Sequence, residues 1–147
     1  MRLLSPAISR LARLRMWRIE SWMNNPVAAQ REVLQDLVTT AQYTQFGQQY
    51  NFGKLFNLRD FKNTVPVHEY DDIKPHIERM MKGEENVLWP TPVTWFAKSS
   101  GTTSDKSKFI PVSDESMKDG HFQVSKDVLT LYYNNFPASD LLTGKGV

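Results

Sequence analysis

Residues 96–113 read FAKSSGTTSDKSKFIPVS, and the reading of this stretch decides the fold. Five hydroxyls (Ser99, Ser100, Thr102, Thr103 and Ser104) crowd around Gly101, and Lys106 and Lys108 follow. On either side, Val93 to Lys98 and Lys108 to Val112 alternate loosely, which predicts two strands joined by a polar turn. Pro90 and Pro92 force their predecessors out of the helical region, so residues 87–92 are expected to be extended. Ser113 is placed to cap a helix running to about Asn134, with Met117, Val124, Val128 and Leu131 on one stripe and Pro137 beyond its end.

Upstream of the strands the pattern is helical. Leu4, Ile8, Leu11, Leu14, Trp17 and Trp22 recur near helical spacing, which predicts a docking helix or a helix lying on a membrane surface. Asn24-Asn25-Pro26 breaks the chain, an Asn cap preceding Pro at the first helical position. Val27, Leu34, Leu37, Val38 and Ala41 carry a second helix, which Gly47 can close as a left-handed cap. Residues 48–66 mix aromatics with turn formers and read as packed loop and short helix. A third helix is expected from a cap at Asp72, with Pro75 in its first turn. Ile73, Ile77, Met80 and Met81 supply its buried face, Glu78 and Lys82 an ion pair, and Gly83 its end. The fold class is α/β, with a helical hairpin at 1–47 and the start of an α/β domain at 48–147.

At 147 residues the chain is long enough to bury roughly two-thirds of its unfolded surface in one domain. Its net charge is +2, but five arginines (2, 10, 13, 15 and 18) face the single acid Glu20 in the first 25 residues. The rest holds 13 bases against 15 acids, which argues against a nucleic-acid binder. Cysteine is absent, so disulfides and thiolate metal sites are excluded and a reducing cytoplasm is the expected location. No apolar run approaches the roughly 18 residues that span a bilayer. The last residues, LLTGKGV, look like a turn leading into another strand, as in a truncated chain.

The hydroxyl-rich turn has two readings. Judged by composition it is a solvated hairpin loop of turn-forming Ser, Thr and Asp. Judged by chemistry it is a cradle for phosphate. Gly101 lets backbone N–H groups converge on an anion, the hydroxyls rotate to donate, and the lysines strengthen each hydrogen bond with charge. It is not a Walker loop, which needs a second glycine directly before Lys-Ser/Thr. His68-Glu69-Tyr70-Asp71-Asp72 approaches H-E-x-x-H, but Asp72 stands where the second histidine belongs, so zinc is not expected. His76 and His121 read as surface or capping residues, Trp89 and Trp95 as core.

Ser99-Ser100-Gly101-Thr102-Thr103, followed by Lys108 and Pro111, resembles the phosphate-binding motif of adenylate-forming enzymes of the acyl-CoA synthetase and luciferase superfamily. The spacing to Lys108 is most similar to the auxin-responsive acyl acid amido synthetases and their bacterial relatives. Phe46-Gly47, Val65-Pro66-Val67, Tyr70-Asp71-Asp72-Ile73-Lys74-Pro75 and Asn86-Val87-Leu88-Trp89-Pro90 look like the approach to that motif in bacterial members. Many relatives carry glycines where Ser104 and Asp105 stand here. Asp tolerates a left-handed backbone better than most residues, so the loop can keep its shape.

The resemblance implies the N-terminal part of the large, nucleotide-binding domain of an adenylate-forming enzyme. Such an enzyme uses ATP and Mg2+ to activate a carboxylic acid as an acyl-adenylate, which an amine or amino acid then captures. A carboxylate is already ionised near pH 7, so the first step needs positioning and charge stabilisation rather than a base. Carried over residue by residue, Ser99, Ser100, Gly101, Thr102, Thr103 and Lys108 would hold phosphate, with Thr102 and Lys108 acting on the reacting group. No metal ligand is assigned, and the chain alone is expected to be inactive. A non-catalytic phosphate-binding module and a membrane-associated interaction module stand as alternatives.

Overall fold

Thr44 and Gly47 show how local chemistry builds this chain. A computed structural model describes residues 4–99, 107–137 and 139, with side chains from Arg10 onward. Contacts divide it into two compact units, residues 27–117 and residues 1–26 with 118–147. This grouping differs from the division at residue 47 read from the sequence. In both units the described residues form helices, and the described sheet is a small antiparallel pair.

The larger unit begins with α2 (Pro26–Ala41), which starts at the proline as expected. Gly47 does not close this helix. It lies inside the short α3 (Gln45–Gln49), whose cap Thr44 is fully buried and accepts from Gly47 N at 2.9 Å. A Cβ on Gly47 would stand 2.0 Å from the Ala41 carbonyl oxygen. That oxygen also accepts from Thr44 N and Oγ1, so the glycine answers close backbone approach rather than a left-handed dihedral. The first free amides of α3, Gln45 N and Phe46 N, are taken by the carbonyls of Asn86 and Val87, which draws that segment against the helix.

Around this turn Val38, Ala41, Phe52 and Leu55 form the core, with Phe46, Phe61, Val65 and Trp89 packed on it. A 3₁₀ turn at Phe52–Lys54 and α4 (Leu58–Thr64) fill the stretch read as loop and short helix. The next helix, α5 (Tyr70–Met81), starts earlier than predicted. Glu69 is its cap and Asp72 is the third helical residue, the two forming a capping box in which Glu69 N donates to Asp72 Oδ2 at 2.8 Å. Ile77 and Met80 are buried, whereas Met81 is exposed. The helical ion pair is Lys74–Glu78 at 3.9 Å, the turn before the expected Glu78–Lys82. Gly83, at φ +87°, ends the helix as predicted. Just beyond it, Arg79 and then Gln45 hold the Glu84 carboxyl down at about 2.

His76, read as a surface or capping residue, instead sets its ring edge-on to Phe46, as His68 does. Trp95 is 65% exposed rather than core, while Trp89 packs inward and donates to Glu115 at 3.1 Å. The Glu115 carboxyl is held below the usual carboxylate range by its own backbone N–H, then by Ser113, Trp89 and Thr91.

In the smaller unit α1 (Leu4–Asn24) packs against α6 (Gln123–Asn135). Ala12, Met16 and Ile19 make the buried face of α1, while Leu11, Leu14 and Trp17 of the predicted stripe point outward, Trp17 being 76% exposed. On α6 the predicted stripe is also displaced. Val124 and Val128 are exposed, and Thr130 and Tyr133 are buried. The cause is a π-helical stretch, Ser116–Phe122, between the Ser113 cap and α6. A wider turn shifts the helical phase by about one residue, which turns 123, 127 and 130 inward in place of 124, 128 and 131.

That phase brings Asp127 to Arg15. The guanidinium donates twice, Nε to Oδ1 at 2.7 Å and Nη2 to Oδ2 at 2.8 Å, and lies 4.8 Å from the Trp22 ring. Arg15 first, then Gln123, lowers the Asp127 carboxyl below its ordinary value. Both side chains are 20% accessible, so water partly screens the pair and Arg15→Ala is expected to cost about 1–2 kcal/mol. Because the folded pKa is depressed, this contribution is present above the ordinary aspartate range and is lost as pH falls through the lowered value. Urea unfolding of both proteins across pH 2–7 checks it: the difference should be full at neutral pH and narrow in acid.

Candidate functional site

The predicted cradle lies between β1 (Trp95–Lys98) and β2 (Phe109–Val112). The strands pair antiparallel, Trp95 opposite Val112 and Lys98 opposite Phe109. Pro111 is tolerated because, among the described residues, the sheet has two strands and each is an edge.

Just past the last paired residues, Ser99 and Lys108 tie the base of the loop. Ser99 N donates to the Lys108 carbonyl at 2.9 Å, and Lys108 N donates to Ser99 Oγ at 3.1 Å. The Ser99 hydroxyl therefore keeps its own hydrogen for another acceptor. Lys108 projects from the same base, exposed, with its ammonium 5.5 Å from the centre of the Tyr70 ring. Of the residues assigned from the sequence, the structure thus brings together Ser99 and Lys108. Ser100, Gly101, Thr102 and Thr103 lie outside the described residues, as do Ser104, Asp105 and Lys106.

A residue that sequence reasoning did not single out joins them. Tyr70, the first residue of α5, places its phenol on β2: Oη accepts from Phe109 N at 2.8 Å and donates to Phe109 O at 3.3 Å. In the sequence it stood only within the family-like stretch 70–75, with no role of its own assigned. Nothing in periodicity shows that it reaches a strand 39 residues away. Among the described residues no group of three His, Cys, Asp or Glu side chains gathers as a metal site. No helix among them is long and apolar enough to cross a membrane.

What this base can offer chemically is a hydroxyl donor from Ser99 and a cation from Lys108 on paired strands, group types suited to phosphate oxygens. Residues 15–147 match the model of the GH3 family N-terminal domain.

The chain belongs to the GH3 family.

It is 32% identical over 100 residues to the indole-3-acetic acid-amido synthetase GH3.2 of Arabidopsis thaliana, covering 67% of this chain and 18% of that protein. It is 31% identical over 109 residues to the jasmonoyl–L-amino acid synthetase JAR4 of Nicotiana attenuata, covering 74% of this chain and 19% of that protein. In structure it is similar to the AtGH3.15 acyl acid amido synthetase in complex with 2,4-DB. The TM-score there is 0.52 at 29% identity, over 70% of this chain and 19% of that one. The GH3 chain thus spans about a fifth of the length of the relatives it matches. Its two-stranded sheet and helices correspond to the N-terminal domain of such synthetases.

Proposed function

We propose that this GH3 domain supplies the triphosphate grip of an ATP-dependent ligase that adenylates a carboxylic acid and passes the acyl group to an amine or amino acid. The words leading to the motif favour a bacterial member, and the absence of cysteine fits a reducing cytoplasm. The observation that supports the reading most is the closed base of the loop, where Ser99 N donates to the Lys108 carbonyl and Lys108 N to Ser99 Oγ, fixing the two residues from which a hydroxyl and a cation project. Between them the chain offers Ser100, Gly101, Thr102 and Thr103, the residue types a polyphosphate needs.

In this reading Ser99, Ser100, Thr102 and Thr103 donate to phosphate oxygens, and Gly101 allows the backbone to come close. Lys108 offsets charge that builds on the departing pyrophosphate. Mg2+ carried on the phosphates would share that neutralisation. The carboxylate of the acid is the nucleophile, so no residue need remove a proton in this step. Acid-dependent exchange of labelled pyrophosphate into ATP by the full-length gene product tests the proposal, with Thr102→Ala and Lys108→Ala as the substitutions. Nucleotide binding with no acid-dependent exchange would instead assign a non-catalytic phosphate-binding module.

A further inference from the structure

Lys108 presents a problem of placement. Its ammonium rides on a four-carbon stem with many rotamers, and a cation that wanders stabilises little in a transition state. Among the described residues no carboxylate pairs with it. The ring of Tyr70 faces it, at 5.5 Å from Nζ to the centroid, within cation–π range. This choice of partner has a chemical consequence. A carboxylate would hold the ammonium but cancel its charge. An aromatic face holds it while leaving charge and N–H donors available to an anion.

The same tyrosine fixes the backbone from which Lys108 projects. Its phenol satisfies both the N–H and the C=O of Phe109, the next residue in the chain. The phenol is itself anchored, because Tyr70 opens α5 inside the capping box of Glu69 and Asp72. One side chain from a rigid helix start therefore sets both the origin and the direction of the lysine.

We propose that Tyr70 is a positioning residue for the phosphate-binding lysine: its phenol clamps the backbone of Phe109 while its ring backs the Lys108 ammonium at the mouth of the loop. This inference rests on the reading of Lys108 given above and adds the group that makes the lysine effective.

The test is a double-mutant cycle in the full-length gene product, read by pyrophosphate exchange. Tyr70→Phe keeps the ring but removes the phenol clamp, and it should lower kcat about tenfold while leaving KM for ATP within about twofold. Thermal melting of each variant verifies that the fold is intact. In a Lys108→Ala background the tyrosine substitution should cost nothing further, since its effect passes through the lysine. A general structural role would instead cost the same in both backgrounds, and that result, or unchanged exchange in Tyr70→Phe alone, overturns the inference. If Lys108→Ala by itself leaves exchange unchanged, the reading of Lys108 falls and this inference with it, an outcome distinct from a failure confined to Tyr70.

Discussion

Gly47→Ala is expected to lower the melting temperature by about 10 °C, a loss of about 3 kcal/mol for a chain of this size. Alanine would ordinarily stabilise a helix interior by about 1 kcal/mol over glycine, so intrinsic propensity points the other way. Packing decides the sign. The new Cβ would stand 2.0 Å from the Ala41 carbonyl oxygen and 2.9 Å from its carbon, both backbone atoms. Moving that carbonyl would break the hydrogen bonds it accepts from Thr44 N at 3.0 Å and Thr44 Oγ1 at 2.7 Å. Thr44 is fully buried and caps α3, so the clash spreads into the cap and the surrounding core. Gly120→Ala is the control, since a Cβ there meets nothing within 4 Å. Differential scanning calorimetry should show a large loss for the first and almost none for the second.

Lys108→Ala is expected to lower pyrophosphate exchange about a hundredfold, and Thr102→Ala about tenfold. The difference follows from charge. A lysine offsets negative charge as it accumulates on the leaving group, so its interaction strengthens toward the transition state and its loss falls on kcat. A threonine hydroxyl binds phosphate oxygens in ground and transition states alike, so part of its loss falls on KM for ATP. Steady-state exchange with saturating acid separates the two. Equal, unchanged rates in both variants would contradict the assignment of the loop.

The parts legible in the sequence were those governed by local chemistry. The alternation on either side of the loop marked β1 and β2, and Gly83 marked the end of α5, but residues 87–91, expected to be extended, bend instead. What escaped was set by contacts distant in sequence. Gly47 was read by its freedom to turn left-handed, whereas its role is to let α3 lie against the Ala41 carbonyl. The stripe on α6 was counted with a constant 3.6-residue period, and the π-helical stretch at Ser116–Phe122 displaced it by one position. On α1 the strong apolar residues Leu14 and Trp17 drew attention, yet Ala12, Met16 and Ile19 face α6. In the candidate site, the proximity of Ser99 and Lys108 was legible because both belong to one local motif. Tyr70 was not, because a phenol reaching strand backbone 39 residues away leaves no periodic trace.

The central claim is that the loop closed by Ser99 and Lys108 grips the triphosphate of ATP. A structure of the full-length gene product with Mg2+ and a non-hydrolysable ATP analogue tests it most directly. The account predicts phosphate oxygens within about 3 Å of Thr102 Oγ1 and Lys108 Nζ, with the lysine still resting on Tyr70. A nucleotide bound elsewhere, with that loop empty and turned to solvent, would contradict it.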